Sequence, residues 1–284
     1  MSSLRLASFN LLSGRSITDG LIDTGRLIAA ATDLDADLLA VQEVDRFQPR
    51  SGRIDQTAVI AAALGAVTSR FVATVDGTPG EPGWRPGTGP PSAPAPATAT
   101  APGPESGPGP AQFGVALISR LPVAEWHVLR LPPARGRFPL LIPGRRRARV
   151  LWLNDEPRAV IAAVLERPRM TIACAHLSFV PIHNLRQLRT ARDWLARLPG
   201  PQILLGDLNL PAALARRMTR WTPLVSAPTF PAPGPRLQLD HVLAAGLPVG
   251  SRAEGQIRRL AISDHCAVVV NLDLPLAQSD MTQK

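Results

Sequence analysis

Five short clusters of residues able to do chemistry occur along the chain. They are Ser8-Phe9-Asn10, Gln42-Glu43-Val44-Asp45, Cys174-Ala175-His176-Leu177, Gly206-Asp207-Leu208-Asn209 and Ile262-Ser263-Asp264-His265. Most follow an apolar, strand-like run, so each sets polar side chains where a buried strand ends. Sheet-based enzymes collect their reactive groups at such ends. Carboxylates, side-chain amides and imidazoles suit a hard divalent cation, Mg2+ first and Mn2+ as a substitute, together with phosphate chemistry. Cleaving a phosphate ester requires a metal to neutralise charge, an activated water and donors for the developing oxyanion.

Glu43 is the first choice as metal ligand, because its carboxylate closes a buried strand and Mg2+ takes one or two carboxylates beside water and substrate oxygen. Asn10 would orient Glu43 or reach the metal through its amide oxygen. Asp207 and Asn209 stand two positions apart, so on an extended segment both point the same way. That suits a water held between a carboxylate base and an amide that fixes its orientation. Leu208 between them faces apolar packing.

Taken in order, with Leu239-Asp240-His241 as a sixth, these clusters resemble those of the endonuclease/exonuclease/phosphatase superfamily from about Leu4 to Leu274. The resemblance implies an α/β fold, a four-layer sandwich of two packed mixed β-sheets flanked by helices. It also implies that His176 hydrogen-bonds the scissile phosphate and that Asp264 lies near the metal. His265 would contact the phosphate or the nucleophile, with Asp240 as the carboxylate that orients it. The usual logic of such a pair is that the carboxylate sets the tautomer and raises basicity. Whether Asp207 or His265 takes the proton from water stays open. Leu12 and Val115 depart from the pattern, replacing an acidic or amide residue and an asparagine common in relatives. Asp45 is either part of the motif or a capping group, and Arg158 either reaches a phosphate or makes a salt bridge. His127, His183 and His241 match no catalytic position and are expected to be structural.

The activity implied is divalent-metal-dependent hydrolysis of phosphoester bonds, by a phosphodiesterase, nuclease or phosphatase, with water attacking phosphorus in line. The substrate would be nucleic acid, an inositol phosphate or a phospholipid head group. The alternative is a non-catalytic phosphate-ligand-binding protein on the same fold, since fold alone does not settle function.

Positioning these clusters requires strands alternating with helices. Helical spacing covers Arg26–Leu34, Ile54–Leu64, Pro181–Leu198 and Ala212–Met218. Apolar strands are expected at Asp37–Val41, Arg70–Val75, Phe113–Arg120, Val123–Leu131, Arg158–Glu166, Arg169–Ala175 and Gln202–Gly206, then near Leu239–Leu243 and Cys266–Leu274. Residues 1–274 read as one domain, and 275–284 as a polar tail. The segment Gly77–Pro110 interrupts that domain with 11 prolines and 8 glycines in 34 residues. So little apolar surface cannot offset ordering entropy, and a disordered insertion is expected there. The run Arg145-Arg146-Arg147-Ala148-Arg149 is expected to be a solvated basic loop.

Composition narrows the class further. With 284 residues, 45% of them hydrophobic, the chain can bury a sizeable core, and no stretch approaches the roughly 18 apolar residues of a membrane helix. The net charge of +9 permits an anionic substrate, but 30 of the 31 basic residues are arginine, which marks a chain-wide bias rather than a dedicated patch. Cys174 and Cys266 sit in apolar runs and are expected to be buried free thiols. The first strand starts at Leu4 and leaves no space for a signal peptide, so a cytoplasmic location is expected; the chain is read as a monomer.

Overall fold

The computed structural model describes residues 2–92, 109–142 and 149–275. In chain order, the first half contains β1 (Ser2–Asn10), α1 (Thr24–Leu34), β2 (Leu38–Arg46), α2 (Gln56–Leu64), β3 (Thr68–Asp76), β4 (Arg85–Pro86) and β5 (Gln112–Ser119). Next come β6 (Val123–Leu131), β7 (Arg137–Ile142), β8 (Arg149–Asn154), β9 (Arg158–Leu165), β10 (Thr171–His176), α3 (His183–Leu195) and β11 (Gln202–Asp207). The chain closes with α4 (Ala212–Thr219), β12 (Thr222–Pro223), β13 (Asp240–Ala245), β14 (Arg252–Arg258) and β15 (Ala267–Leu274).

The strands make two large mixed sheets, ordered β14-β15-β1-β2-β5-β3-β4 and β12-β13-β11-β10-β9-β6. Each contains one parallel pair, β1 with β2 and β10 with β11. Parallel neighbours need a crossover, supplied here by α1 in one sheet and α3 in the other. Both strands of such a pair end on the same edge. Asn10 is therefore level with Gln42, and His176 with Asp207.

Side-chain alternation produces the layers. Leu6, Leu38, Ile172, Leu205 and Val242 point between the sheets into a shared core. Their neighbours Ala7, Leu39, Val41 and Phe9 pack instead beneath α1 and α2 with Leu27, Leu34 and Ile60. On the far side, Ala173, Ala175 and Leu204 pack beneath α3 and α4 with Leu188, Leu195 and Ala215. Strands buried on both faces read as continuous apolar runs, which is why the sequence marks them so clearly. Asp23 and Asp55 cap α1 and α2 by accepting from the backbone N–H of Arg26 and Ala58. No helix among the described residues is long and apolar enough to cross a membrane. Cys174 and Cys266 are buried and unpaired with each other.

Three places differ from the sequence expectation. Residues 77–92, the opening of the segment expected to be disordered, lie along β3, where Arg85–Pro86 pairs with Val75–Asp76. The Arg130 guanidinium holds this stretch by donating to the carbonyls of Ala73, Gly87 and Gly89, and Ser92 N–H bonds Phe71 O. Backbone bonds need no apolar side chains, so composition hides them. Residues 93–108 of that segment lie outside the described residues, as do Arg145–Arg147 and the tail beyond 275. The basic stretch expected as a loop is flanked by a hairpin, with Arg137–Ile142 paired to Arg149–Asn154. Finally, β14 is an edge strand whose first five residues are exposed, so its sequence has no apolar alternation to reveal it.

Candidate active site

The inter-sheet core turns polar at one edge of the sandwich. Following Leu6, strand β1 places Ser8 and Asn10 on the inter-sheet face. Following Ile172, β10 places Cys174 and His176 there. In the second sheet His176 is level with Asp207, and Asp207 with Asp240, so three neighbouring strands set their reactive residues in one row. All three are at most 7% exposed.

Glu43 reaches this edge by a different device. Between Val41 and Val44, β2 carries one more residue than β5, and Glu43 has a φ of 54°. Regular alternation would send Glu43 away from the side occupied by Gln42. The bulge turns both inward. Gln42 Nε2 donates to Ser8 Oγ and Cys174 Sγ, while Glu43 accepts from Asn10. The Asn10 amide joins the halves: its Nδ2 lies 2.9 Å from Glu43 Oε1 and 3.1 Å from Asp207 Oδ2. Its Oδ1 accepts from Leu12 N–H, and Ser263 Oγ donates to its carbonyl at 2.6 Å.

Asp207 accepts the backbone N–H of Asn209 at 2.9 Å. Asn209 does not continue the extended strand that the two-residue spacing assumed. Its φ is 50°, which breaks the extended geometry, and its Nδ2 donates to Leu177 O. Gly206 is required by its surroundings: its φ is +147°, and a Cβ there would lie 1.8 Å from Ala175 O. His265 Nδ1 lies 2.8 Å from Asp240 Oδ2, with its Nε2 3.8 Å from Asp207 Oδ2. The ring packs against Phe230 with centroids 4.8 Å apart. His176 Nε2 lies 3.7 Å from the same Asp207 oxygen. Asp264, partly exposed, completes the edge beside His265.

Burial and mutual charge set the protonation states. Withdrawal from water raises Glu43 to about 7, against the Asn10 hydrogen bond and with the help of Asp264 and Asp207. Burial raises Asp207 and Asp264 as well, each opposed by His265. Burial would depress His265, but Asp240, Asp207 and Asp264 outweigh it and lift the imidazole to about 10. His176 moves the other way, held well below its ordinary value by burial and by the Arg158 and His265 charges. Two histidines of one site are thus driven apart.

Arg158 and Asp45 resolve into definite contacts. Arg158 is 7% exposed, with Nη1 3.1 Å from His176 Nδ1 and Nη2 3.7 Å from Asp155. Asp45 receives Arg50 through two bonds of 2.9 and 2.7 Å and Ser13 Oγ at 3.1 Å. Sequence reasoning passed over Arg50 and Ser263. The serine inside Ile262-Ser263-Asp264-His265 was in view, and its φ of 72° was not. His241 bonds Leu210 O and His127 faces Glu125, while His183 bonds Pro132 O and lies 4.0 Å from Asp155, the carboxylate beside Arg158.

The donor set fits a divalent cation. Three carboxylates, Glu43, Asp207 and Asp264, are each raised by burial and by neighbouring carboxylates, Glu43 by Asp264 and Asp207 and the other two by Asp240, an excess of negative charge that a cation relieves. Asp207, Asp240 and His265 also bring ligand atoms within 4.8 Å of one another and could hold a metal ion. With His265 Nδ1 engaged by Asp240, that trio has the bonding of an oriented imidazole.

A mixed-sheet sandwich with this edge defines a class, and comparison with known proteins agrees. The family model described as "Endonuclease/Exonuclease/phosphatase family" matches residues 7–265, and the chain belongs to that family. Its enzymes hydrolyse phosphoesters with divalent metals. Among solved structures, an endonuclease/exonuclease/phosphatase from Beutenbergia cavernae superposes with a TM-score of 0.65 at 21% identity, covering 96% of this chain and 72% of that one. A family protein from Bacteroides thetaiotaomicron gives 0.60 at 15% identity, over 97% and 96%. D. rerio TDP2 complexed with a single-strand DNA product gives 0.54 at 13%, over 96% and 100%. These identities establish a shared fold. No protein of curated function matches the sequence.

Proposed function

We propose that this protein is a Mg2+-dependent phosphodiester hydrolase, able to use Mn2+, in which water attacks phosphorus in line. The observation that carries the reading is the Asn10 amide, which bonds Glu43 of one sheet and Asp207 of the other. It makes a metal-binding half and a water-activating half one site.

In this reading Glu43 and Asp264 hold the metal, and Asn10 serves as the strut that sets Glu43 rather than as a ligand. When bound, the cation would neutralise charge on the phosphate oxygens. Asp207 is the general base: it is a carboxylate raised toward neutrality, and it is oriented by Asn10 and by the Asn209 backbone. Asn209 donates its backbone N–H to Asp207 and braces the loop through Nδ2, leaving its amide oxygen to orient the attacking water. His265, protonated and oriented by Asp240, donates to the phosphate as charge builds. His176, neutral beside Arg158, offers a second hydrogen bond to the phosphate. A cytoplasmic monomer is the expected working form.

Nucleic acid is the substrate class to test first, because a fold neighbour, D. rerio TDP2, is complexed with a single-strand DNA product. Purified protein with Mg2+ or Mn2+ should be screened against plasmid DNA, abasic oligonucleotides, RNA, inositol phosphates and sphingomyelin. Turnover that disappears in Glu43→Gln supports the proposal. Phosphate binding without turnover on any of them would replace it with the non-catalytic ligand-binding reading.

A further inference from the structure

Arg50 is built into this edge but has no part in the chemistry above. It lies in the short turn Pro49–Ser51 that follows β2. The turn is anchored by Gln48, a fully buried side chain whose Nε2 donates to the carbonyls of Gly77 and Gln112 at 2.7 and 3.1 Å. Asp45, two residues beyond Glu43, is completely buried and accepts Arg50 Nε and Nη2 along one side of the guanidinium. Its own backbone N–H donates to Gln56 Oε1. The guanidinium also lies over the Phe113 ring, 5.6 Å from its centroid.

A guanidinium clamped through Nε and Nη2 has its remaining N–H groups aimed in a fixed direction. Nη1 has no protein hydrogen-bond partner among the described residues, and 29% of the side chain is exposed. The carboxylates whose charge Arg50 feels after Asp45 are Glu43 on the first sheet and Glu156 just before β9 on the second. Glu156 in turn feels Arg158. Held by Asp45, two residues beyond Glu43 on β2, Arg50 stands close to the strand end that presents the carboxylate assigned to the metal.

We propose that Arg50 is an anion-binding residue of this site, held by Asp45 so that its Nη1 edge receives a phosphate group of the substrate. The inference rests on the phosphoesterase reading and adds a recognition element to it. A rigid fork that donates to phosphate oxygens costs little ordering when substrate arrives. Asp45 is the positioning residue. Its place in the Gln42-Glu43-Val44-Asp45 cluster couples the phosphate subsite to the metal carboxylate through a single strand.

The test compares wild type, Arg50→Lys and the double variant Asp45→Asn/Arg50→Gln, which removes both charges together and so leaves no buried carboxylate unpaired. Two measurements are needed: calorimetric titration with inorganic phosphate in Mg2+ buffer, and hydrolysis of bis(4-nitrophenyl) phosphate. Circular dichroism and a separate Mg2+ titration check the fold and the metal half. Phosphate affinity should fall about tenfold or more in the double variant and less in Arg50→Lys, with KM rising in parallel and kcat changing little. A folded double variant that binds phosphate as wild type does overturns the proposal, and so does a wild type that binds none. Arg50-dependent phosphate binding in a protein that hydrolyses nothing would leave this assignment standing and remove the hydrolase reading.

Discussion

In β1–α1–β2 the parallel pair ends in a bulge that turns Gln42 and Glu43 the same way, with Glu43 at a φ of 54°. In β10–α3–β11 the pair stays in register to its last residues, His176 and Asp207. A regular pair offers one inward residue per strand at a given level. The bulge gives the first sheet two consecutive ones, a buried amide that ties the sheets together and a carboxylate at the mouth. The second sheet instead adds a third strand to its row, and Asp240 of β13 aligns with Asp207. Under the proposed function, similar crossovers would thus supply a metal-binding end on one sheet and a proton-handling end on the other. Asn10 is the contact that makes each depend on the other.

The largest effect expected is loss of turnover when either end is disabled. Glu43→Gln and Asp207→Asn should each lower single-turnover hydrolysis by about a thousandfold or more. Because the two ends act as a unit, the double variant should be little worse than the poorer single. Multiplying losses in the double variant would show two independent sites and break the comparison.

Asn10→Ala sharpens it, since this change removes neither the metal carboxylate nor the base. We expect a loss of about a hundredfold with both Mg2+ affinity and kcat reduced, as for a residue that orients ligands. A change confined to one of the two measurements would assign Asn10 to one half alone. Asp240→Asn should cost less, about tenfold, because His265 remains and only its orientation suffers. A pH–rate profile of this variant should show the His265 limb displaced to lower pH, since the lost carboxylate is a principal cause of its upward shift.

Stability should reveal the first end through its carboxylate. Glu43 lies at about 7 in the folded protein against 4.5 for the free side chain. Between these values the folded state holds the extra proton, so unfolding releases it and stability falls as pH rises through that window. Metal-free protein should therefore lose Tm between pH 4.5 and 7, and Glu43→Gln should flatten that loss. Added Mg2+ should restore more Tm at pH 7.5 than at pH 5, because metal and proton compete for the same oxygens. Parallel Tm curves for wild type and Glu43→Gln would refute the assignment.

The smallest effect concerns the strip that the insertion lays along β3. Arg130→Ala removes the donor to Ala73, Gly87 and Gly89 and should lower Tm by about 3 °C. Unchanged Tm would mean that the strip contributes nothing to the sheet's stability.

Much of this molecule could be read from its residues. Strands buried on both faces, such as Ala159–Leu165, declare themselves as apolar runs, and α3 by its amphipathic spacing. The identities of Asn10, Glu43, His176, Asp207, Asp240, Asp264 and His265 stood in the sequence as clusters at strand ends, and the structure gathers them at one edge. The sequence could not show the main-chain departures that aim these groups. The bulge at Glu43 and the left-handed turn at Asn209 depend on backbone torsions, which residue type only weakly restricts. The partnership of Arg50 with Asp45 and that of Arg130 with three carbonyls were hidden for the same reason, because an arginine's role is set by what the fold brings within reach. Residue type and order determined which groups the protein owns and where its strands end. Tertiary structure alone decided that Asn10 touches Glu43 and Asp207 together, because 197 residues separate it from the second, and only the packing of one sheet on the other closes that distance.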